Sequence, residues 1–332
     1  MRWRYLVGLA VLAFAALTLA LRQPGAAPRV AAPSGSPPAP SGPPAVQPLT
    51  LPPQPRVLVF APHPDDETVG VGGLIVRLAR ARVPLRVVFV TNGDGYPRAV
   101  EQDFDVKKPT DDDYVAFGEL RQREALAALA RLGVGRRDVR FLGFPDGGLA
   151  ELWRAHWLRS RPYTSPYTKE DSPPYPDSEK PGVEYDGQDL TAVISGVLRE
   201  FHPSVVVMPH PYDSHLDHAH TSYFVTEAMT DLQERGVLPA SLTVLTYVVH
   251  YPAWPATRGP GFDRFLPLDD LRDTTWTDVD LAPAELAAKR AALAEYKSQL
   301  EVMGGFLRRF LCRNELYGTI DRNLLARIAS VH

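Results

Sequence analysis

The sequence predicts an α/β fold, namely a Rossmann-like, open and mostly parallel sheet with helices on both faces. Short, continuous apolar runs recur along the chain, as expected for strands that are buried on both faces. Segments with apolar residues at helical spacing separate these runs, and Gly133 closes a long one. Strands that alternate with helices in this way form a parallel sheet.

The predicted elements follow one another in a regular order from residue 56 onward. We predict strands at 57–60, 85–90, 139–142, 205–208 and 243–249. Helices are predicted at 72–82, 114–132, 190–201, 218–233 and 283–309. Two irregular stretches interrupt this order, an insertion at 153–186 and a second stretch at 252–280. A connection as long as 153–186 is usually a functional lid or a disordered insertion, and the aromatic residues of 252–280 suit either a sugar pocket or a cover for the sheet edge.

Composition and charge exclude several functional classes. The chain has 332 residues, 45% of them hydrophobic, which is enough for one large domain or two small ones. Its net charge is -3 and its basic residues form no stripe, so we expect no nucleic-acid partner. Because Cys312 is the one cysteine, an intrachain disulfide and a thiolate metal cluster are excluded. A metal site would have to be built from histidine and carboxylate.

The N-terminal 55 residues are predicted to lie outside the catalytic domain. Residues 1–22 combine early arginines with an apolar run, which is typical of a signal peptide or a membrane anchor, and both alternatives stay open. Residues 23–55 are rich in Pro, Ala and Ser and are predicted to be a flexible linker. The domain would then span 56–332. The arginines before the apolar run predict an extracytoplasmic location, either secreted or anchored to the cytoplasmic membrane. The oligomeric state is not predicted.

The strongest signal is the run Ala61-Pro-His-Pro-Asp-Asp-Glu67, directly after the first predicted strand. Sites in open parallel sheets form at the carboxyl ends of the strands. A histidine crowded against adjacent carboxylates on one short loop favours a bound cation. The alternative is a helix N-cap formed by Asp65 or Asp66, which leaves His63 unexplained.

A second signal follows the fourth predicted strand, where four histidines fall within residues 210–220. This loop emerges at the same end of a parallel sheet as the His63 loop, so the two can converge. Histidine and carboxylate ligands with one position left for water are typical of a catalytic zinc site. For His210 and His220 we favour structural or supporting roles over metal ligation.

The pairing of Pro62-His-Pro-Asp-Asp-Glu67 with His215-Leu-Asp-His218 resembles the LmbE/PIG-L family of zinc-dependent N-acetylglucosaminyl deacetylases. Supporting similarity lies in Arg121-x-x-Glu124, in 141–147 and in 296–299, and the resemblance spans roughly 56–316. It implies a Zn²⁺ ion as cofactor and an N-acetylated sugar or glycoconjugate as substrate. Each site residue then takes an implied role. The metal ligands are His63, Asp66 and His218; the catalytic residues are Asp65, His215 and Asp217; the substrate contacts are Arg121 and Asp146.

The resemblance also implies a mechanism. Asp65 would be the general base that takes a proton from the attacking water, and a protonated His215, held by Asp217, would stabilise the oxyanion or protonate the amine. Two alternatives remain: a metal-dependent amidase or esterase with another substrate, and a carbohydrate-binding relative without turnover. Dinucleotide binding is disfavoured because the first strand leads into no glycine-rich turn, and the glycines of 70–73 come too late.

Overall fold

The computed structural model describes residues 46–252, 254–255, 263–271, 273–321, 324–325 and 327. The predicted signal peptide or anchor at 1–22 lies outside the described residues, and so does most of the predicted linker. No helix in the described part of the chain is both long and apolar enough to cross a membrane.

The described residues form one eight-stranded sheet in the order β1-β7-β8-β6-β5-β2-β3-β4. The strands are β1 Gln47–Pro48, β2 Val57–Ala61, β3 Leu85–Thr91, β4 Val139–Phe144, β5 Val205–Pro209, β6 Thr243–Tyr247, β7 Thr274–Asp280 and β8 Asn314–Ile320. Strands β2 to β6 pair in parallel, whereas β8 runs antiparallel to both of its neighbours. The sheet is therefore mostly parallel, as the sequence predicts.

Helices cover both faces of the sheet. They are α1 Asp66–Arg80, α2 Pro97–Asp103, α3 Asp111–Arg131, α4 Leu149–Arg154, α5 Gly187–Phe201, α6 Leu216–Glu234, α7 Pro283–Leu293 and α8 Lys297–Leu307. Helix α7 packs on α1 and α3, whereas α6 packs on α4 and α5. Strand β2 shows the two layers directly, because Val57 and Val59 join one apolar cluster while Leu58 and Phe60 join the other.

The connection order places a crevice at the centre of the sheet. From β2 the chain moves through β3 to β4 on one side, and later through β5 to β6 on the other. The loops after β2 and β5 therefore separate at a topological switch point, which is where open α/β sheets bind ligands. Both histidine-bearing motifs lie on these two loops.

The structure differs from the sequence prediction mainly in polar segments. Strand β7 lies inside the stretch predicted to be irregular, and β8 was not predicted, because neither is a continuous apolar run. Strand β1 lies inside the predicted linker and pairs with β7. The helix predicted at 283–309 is two helices, α7 and α8, separated at 294–296. Short helices α2 and α4 were also missed.

The insertion at 153–186 packs beside the crevice through defined contacts. Its Tyr175 and Tyr185 are buried, and the Tyr185 hydroxyl donates to the carbonyl of Gly143 at 2.8 Å. The Tyr175 hydroxyl donates to the carboxylate of Asp94, in the loop after β3. The insertion therefore packs on the end of β4 and on the loop that follows β3.

The glycines of 70–73 have a packing role. They lie within α1, where a Cβ on Gly70 would overlap the Tyr247 ring and a Cβ on Gly73 would overlap Leu281. Helix α1 can approach β6 and the start of α7 this closely because these positions lack side chains. This geometry agrees with the sequence argument against dinucleotide binding.

Candidate active site

The loop after β2 brings the predicted ligands together. The Oδ2 atom of Asp66 lies 3.1 Å from Nδ1 of His63 and 3.1 Å from Nε2 of His218. It also accepts the backbone N–H of His63 at 3.0 Å. The three side chains are buried, and His218 arrives from the first turn of α6. The two distant motifs thus converge as the parallel sheet predicts.

The donor set at His218 fits a cation. Its ring is completely buried, and its two nitrogens face carboxylate oxygens of Asp66 and Asp213 at 3.1 and 3.3 Å without a well-aligned hydrogen bond to any group in the described part of the chain. Burial lowers the pKa of His218, but the carboxylates of Asp66 and Asp213 outweigh this effect and raise that pKa to about 10. The surroundings therefore favour positive charge at this point. A divalent cation would supply that charge and give the ring a ligand bond.

Two further residues at this centre were missed by sequence reasoning, Asp213 and His250. Asp213 Oδ2 lies 3.3 Å from Nδ1 of His218 and accepts the backbone N–H groups of Val249 and His250. Carboxylates in this position orient metal-binding histidines. One potential ligand atom each from Asp66, His218 and His250 lies within 4.8 Å of the others. His250 follows β6 closely, so the strand-end rule could have found it.

Asp65 occupies a strained position between the ligands. Its φ of 126° lies in the region that favours glycine, and within the described residues its side chain makes no capping hydrogen bond to α1. The predicted alternative of Asp65 as an N-cap side chain is therefore wrong. Its N–H donates to Oε2 of Glu67 at 3.1 Å, and its carboxylate lies 3.2 Å from Arg121. Burial raises the pKa of Asp65 to about 8, although Arg121 opposes this shift.

His215 is the N-cap residue of α6, where its Nδ1 accepts the backbone N–H of Asp217 at 3.3 Å. The neutral ring therefore carries its proton on Nε2. Burial, together with the neighbouring imidazoles of His63 and His218, lowers the pKa of His215 to about 4. This corrects the expectation of a protonated His215, because the surroundings favour a neutral ring that can still donate a hydrogen bond.

The side chain of Asp217 supports His63 instead of His215, which corrects the contact implied by the resemblance. Its carboxylate lies 3.3 Å from Nε2 of His63 and accepts the N–H groups of Gly147 and Leu149 at 2.6 and 3.2 Å. Since Gly147 belongs to the loop after β4, Asp217 ties the second motif to that loop as well as to His63.

The two predicted substrate contacts also hold the loops of the site. Asp146 lies 3.0 Å from Nε2 of His63 and accepts the N–H of Gly95 at 2.8 Å. Arg121 donates to the carbonyls of Gly93 and Pro64, besides its contact with Asp65. A Cβ on Gly93, whose φ is 65°, would overlap the Arg121 guanidinium. Both side chains nevertheless line the open cavity.

His210 and His220 lie apart from the ligands and have local partners. The completely buried ring of His210 contacts Thr274 Oγ1 at 2.9 Å through Nε2 and accepts the Tyr212 N–H through Nδ1. His220 donates through Nδ1 to the carbonyl of Leu216 at 2.7 Å, one helical turn earlier in α6. These contacts match the structural roles favoured from the sequence.

A cavity of about 350 Å³ opens above these residues. Its size falls in the range of small-molecule sites. The lining combines charged groups from the loops with apolar groups from α8: His63, Asp65, Asp66, Gly95, Tyr96, Arg121, Asp146, Gly147, Tyr167, His215, Val249, His250, Gln299, Met303, Phe306 and Leu307.

Comparison with known sequences gives a consistent match. Residues 58–229 match the family model described as PIG-L: GlcNAc-PI de-N-acetylase, a range that contains both histidine motifs but not α7, α8 or β8. A 1D-myo-inositol 2-acetamido-2-deoxy-alpha-D-glucopyranoside deacetylase of Nocardia farcinica is 30% identical over 265 residues, which cover 74% of this chain and 80% of the relative. A protein of the same name from Mycobacterium sp. (strain KMS) is 31% identical over 185 residues, 54% of this chain and about half (51%) of the relative.

Solved structures share the fold. The A40926 pseudoaglycone deacetylase Dbv21 superposes with a TM-score of 0.51 at 18% identity, covering 81% of this chain and 98% of that chain. A deacetylase of the teicoplanin pathway, solved as a complex with bog, gives the same TM-score and identity over 81% of this chain and 99% of that chain.

Proposed function

The chain belongs to the PIG-L family of de-N-acetylases, and we propose that it hydrolyses the N-acetyl group of an N-acetylglucosamine-type sugar or glycoconjugate with the help of a zinc ion. The observation that carries this proposal is the position of Asp65. A buried carboxylate with a raised pKa lies beside three potential ligands and faces a cavity of small-molecule size. A general base works best when its pKa is close to the working pH.

His63, Asp66 and His218 would hold the metal, with Asp213, Asp146 and Asp217 orienting the two histidine rings. A donor set of two imidazoles and one carboxylate is typical of catalytic zinc. When bound, such an ion makes a water molecule more acidic and an amide carbonyl more electrophilic. The buried His218 ring supports this assignment, because its nitrogens face two carboxylates and make no well-aligned hydrogen bond within the described residues.

Asp65 would then transfer the proton, and His215 would stabilise the developing negative charge. Asp65 accepts a proton from the attacking water and passes it to the departing amine, as expected for one group acting first as base and then as acid. The Nε2–H of neutral His215 donates a hydrogen bond to the carbonyl oxygen as negative charge develops on it. Burial strengthens both interactions because it excludes water from these groups.

Arg121 and Asp146 would contact the hydroxyl groups of the sugar. Both line the cavity, and both are already fixed by hydrogen bonds to neighbouring loops. A carboxylate has about four lone-pair positions, so Asp146 can accept a sugar hydroxyl besides its present partners. Preorganised groups of this kind fix the orientation of a substrate at small cost in side-chain entropy.

An extracytoplasmic location remains a proposal that rests on residues 1–22. A basic start followed by an apolar run favours export or membrane anchoring, and the substrate would then be a cell-envelope or extracellular glycan. Cell fractionation tests this proposal, because recovery of the protein wholly from the cytosol would contradict it.

Acetate release from N-acetylglucosamine derivatives, measured beside hydrolysis of a simple ester, tests the activity itself. We expect acetate release with zinc-loaded protein. The variant Asp65→Asn should keep its zinc and lose about 10²- to 10⁴-fold in kcat, since it lacks the general base. The variant His218→Ala should lose zinc, as measured by metal analysis.

Asp112→Asn is the matched control, because Asp112 is an exposed carboxylate in the first turn of α3. It should behave like the unmodified protein. Normal turnover by Asp65→Asn would refute the base assignment, and zinc retained by His218→Ala would refute the ligand assignment. Turnover of the ester without any acetate release would favour the esterase alternative.

A further inference from the structure

The cavity has two chemically different walls, with the histidines between them. The polar wall carries Arg121 and Asp146, and the apolar wall carries four side chains: Val249, Met303, Phe306 and Leu307. A continuous series of contacts joins the walls. Asp146 lies 3.0 Å from His63, the His63 and His215 rings are 4.9 Å apart, His215 and His250 are 5.2 Å apart, and His250 stacks on Phe306 at 5.2 Å.

The geometry of an amide relates these walls to the substrate. A secondary amide is planar and almost always trans, so its nitrogen and carbonyl substituents point in opposite directions. If the sugar lies against Arg121 and Asp146, and the carbonyl lies among the histidines, the acyl group must point towards Phe306. The apolar wall is therefore placed to receive the acyl side of the substrate.

The apolar wall offers more contact than an acetyl methyl group can use. Met303 and Phe306 are half-buried and expose apolar surface to the cavity, whereas Val249 and Leu307 are buried behind it. Methionine adapts its shape to different ligands. We propose that this wall is an acyl-binding site, and that the chain hydrolyses N-acyl groups longer than acetyl from amino sugars. This inference rests on the proposed function and extends it to another class of substrate.

The reaction balances without a further reactant. Water adds its oxygen to the carbonyl carbon, the carbon–nitrogen bond breaks, and a proton goes to the nitrogen, which gives a short-chain carboxylic acid and a free amino sugar. Three of the four residues of the apolar wall belong to α8, outside the residues that match the family model. The preference is therefore inferred for this chain and not for the family.

Methyl glycosides of N-acetyl-, N-butyryl- and N-hexanoylglucosamine test the proposal on the full zinc-loaded chain, with the released amine as readout. From acetyl to butyryl, kcat/KM should rise about threefold per added methylene group. Calorimetric titration of the metal-free protein gives a second readout without turnover, and the hexanoyl glycoside should bind more tightly than the acetyl glycoside.

Met303→Ser and Phe306→Ser should each lower the ratio of hexanoyl to acetyl kcat/KM by about tenfold. Val302→Ser is the control, since Val302 lies on the same helix but packs on a separate apolar cluster and does not line the cavity. It should leave the ratio unchanged. Turnover of the acetyl glycoside together with a ratio below one, or a ratio that Met303→Ser and Phe306→Ser do not change, would overturn the acyl site alone. Absence of turnover with every glycoside would reject the proposed function and this inference together.

Discussion

Two clusters of buried charge contact helix α1, and they differ in how their charges are satisfied. The first is the proposed metal centre at the start of the helix, formed by His63, Asp66 and His218. The second, the Lys289–Glu315 pair, lies at the middle of the helix and joins α7 to β8. Both clusters are buried, so burial alone does not separate a functional site from a structural one.

In the Lys289–Glu315 pair the protein itself supplies every partner that the carboxylate needs. Lys289 donates to Glu315 at 2.7 Å and to the carbonyl of Val69 at 2.8 Å. The carboxylate accepts four hydrogen bonds at 2.7 to 2.9 Å, from Lys289 Nζ, Gly73 N, Leu74 N and Tyr317 Oη. A buried ion pair with this many hydrogen bonds needs no ligand.

The proposed metal centre is less completely hydrogen-bonded than the Lys289–Glu315 pair. Both ring nitrogens of His218 face carboxylate oxygens, at 3.1 and 3.3 Å, without a well-aligned hydrogen bond within the described residues, and two groups of potential metal ligands include this histidine. Of these two clusters, the proposed metal centre is the one whose buried ring nitrogens lack well-aligned hydrogen bonds, whereas buried charge is common to both.

Breaking the Lys289–Glu315 pair should have the largest effect on stability. In Lys289→Met, Glu315 stays buried without its cation, so the free energy of unfolding should fall by about 3–5 kcal/mol. Urea denaturation measures this change. Zinc content and turnover per folded molecule should stay near normal, because the pair touches no residue of the metal centre.

The double variant Lys289→Met/Glu315→Gln is the control for buried charge, since it removes both ionic groups. It should recover part of the lost stability. A single variant as stable as the unmodified protein, or a double variant less stable than the single, would contradict the assignment of the pair as a structural unit.

Removing the metal should have the next largest effect. At a free zinc concentration about 100 times Kd, binding stabilises the native state by about 2.7 kcal/mol, and a chelator removes this contribution. Lys289→Met should lose the same amount on chelation, whereas His218→Ala should lose none. Denaturation with and without chelator measures the difference. Equal losses in His218→Ala and the unmodified protein would place the zinc elsewhere.

How well each strand could be predicted from the sequence depends on how apolar that strand is. Strands β2, β3 and β5 are almost purely apolar, and their continuous apolar runs predicted both ends of each strand to within one residue. Strand β8 carries Glu315 and a glycine, and its burial depends on Lys289 from a different helix. Tertiary contacts of this kind leave no periodic signal in the local sequence.

The candidate site, too, could be predicted only where its residues lie in short local motifs. The convergence of His63, Asp66 and His218 could be predicted because they lie in short motifs at strand ends. His250 follows β6 closely enough for the strand-end rule to find it, but the contact of Asp213 with the His250 backbone needed the structure, since it depends on the pairing of β5 with β6. The partner of the Asp217 carboxylate was also beyond the sequence, because a side chain that follows β5 reaches across to the loop after β4.

The smallest effect is expected from removing one tyrosine hydroxyl group in each cluster. Tyr296 donates to Oε1 of Glu67 at 2.5 Å, and Tyr317 donates to Oε2 of Glu315 at 2.7 Å. All four side chains are buried. Tyr296→Phe and Tyr317→Phe each remove one hydrogen bond to a carboxylate, so both should lower stability by about 1.5–3 kcal/mol.

Only Tyr296→Phe should also change catalysis. Glu67 accepts the backbone N–H of Asp65 and so helps to hold that residue at its strained φ of 126°. Without the Tyr296 hydroxyl, Glu67 loses one of its anchors and Asp65 is positioned less well. We expect kcat to fall about tenfold, or ~1.4 kcal/mol in activation free energy, with KM and zinc content unchanged. Steady-state kinetics of both variants measures the contrast. An equal fall in kcat for Tyr317→Phe would show that general loss of stability, and not the position of Asp65, controls the rate.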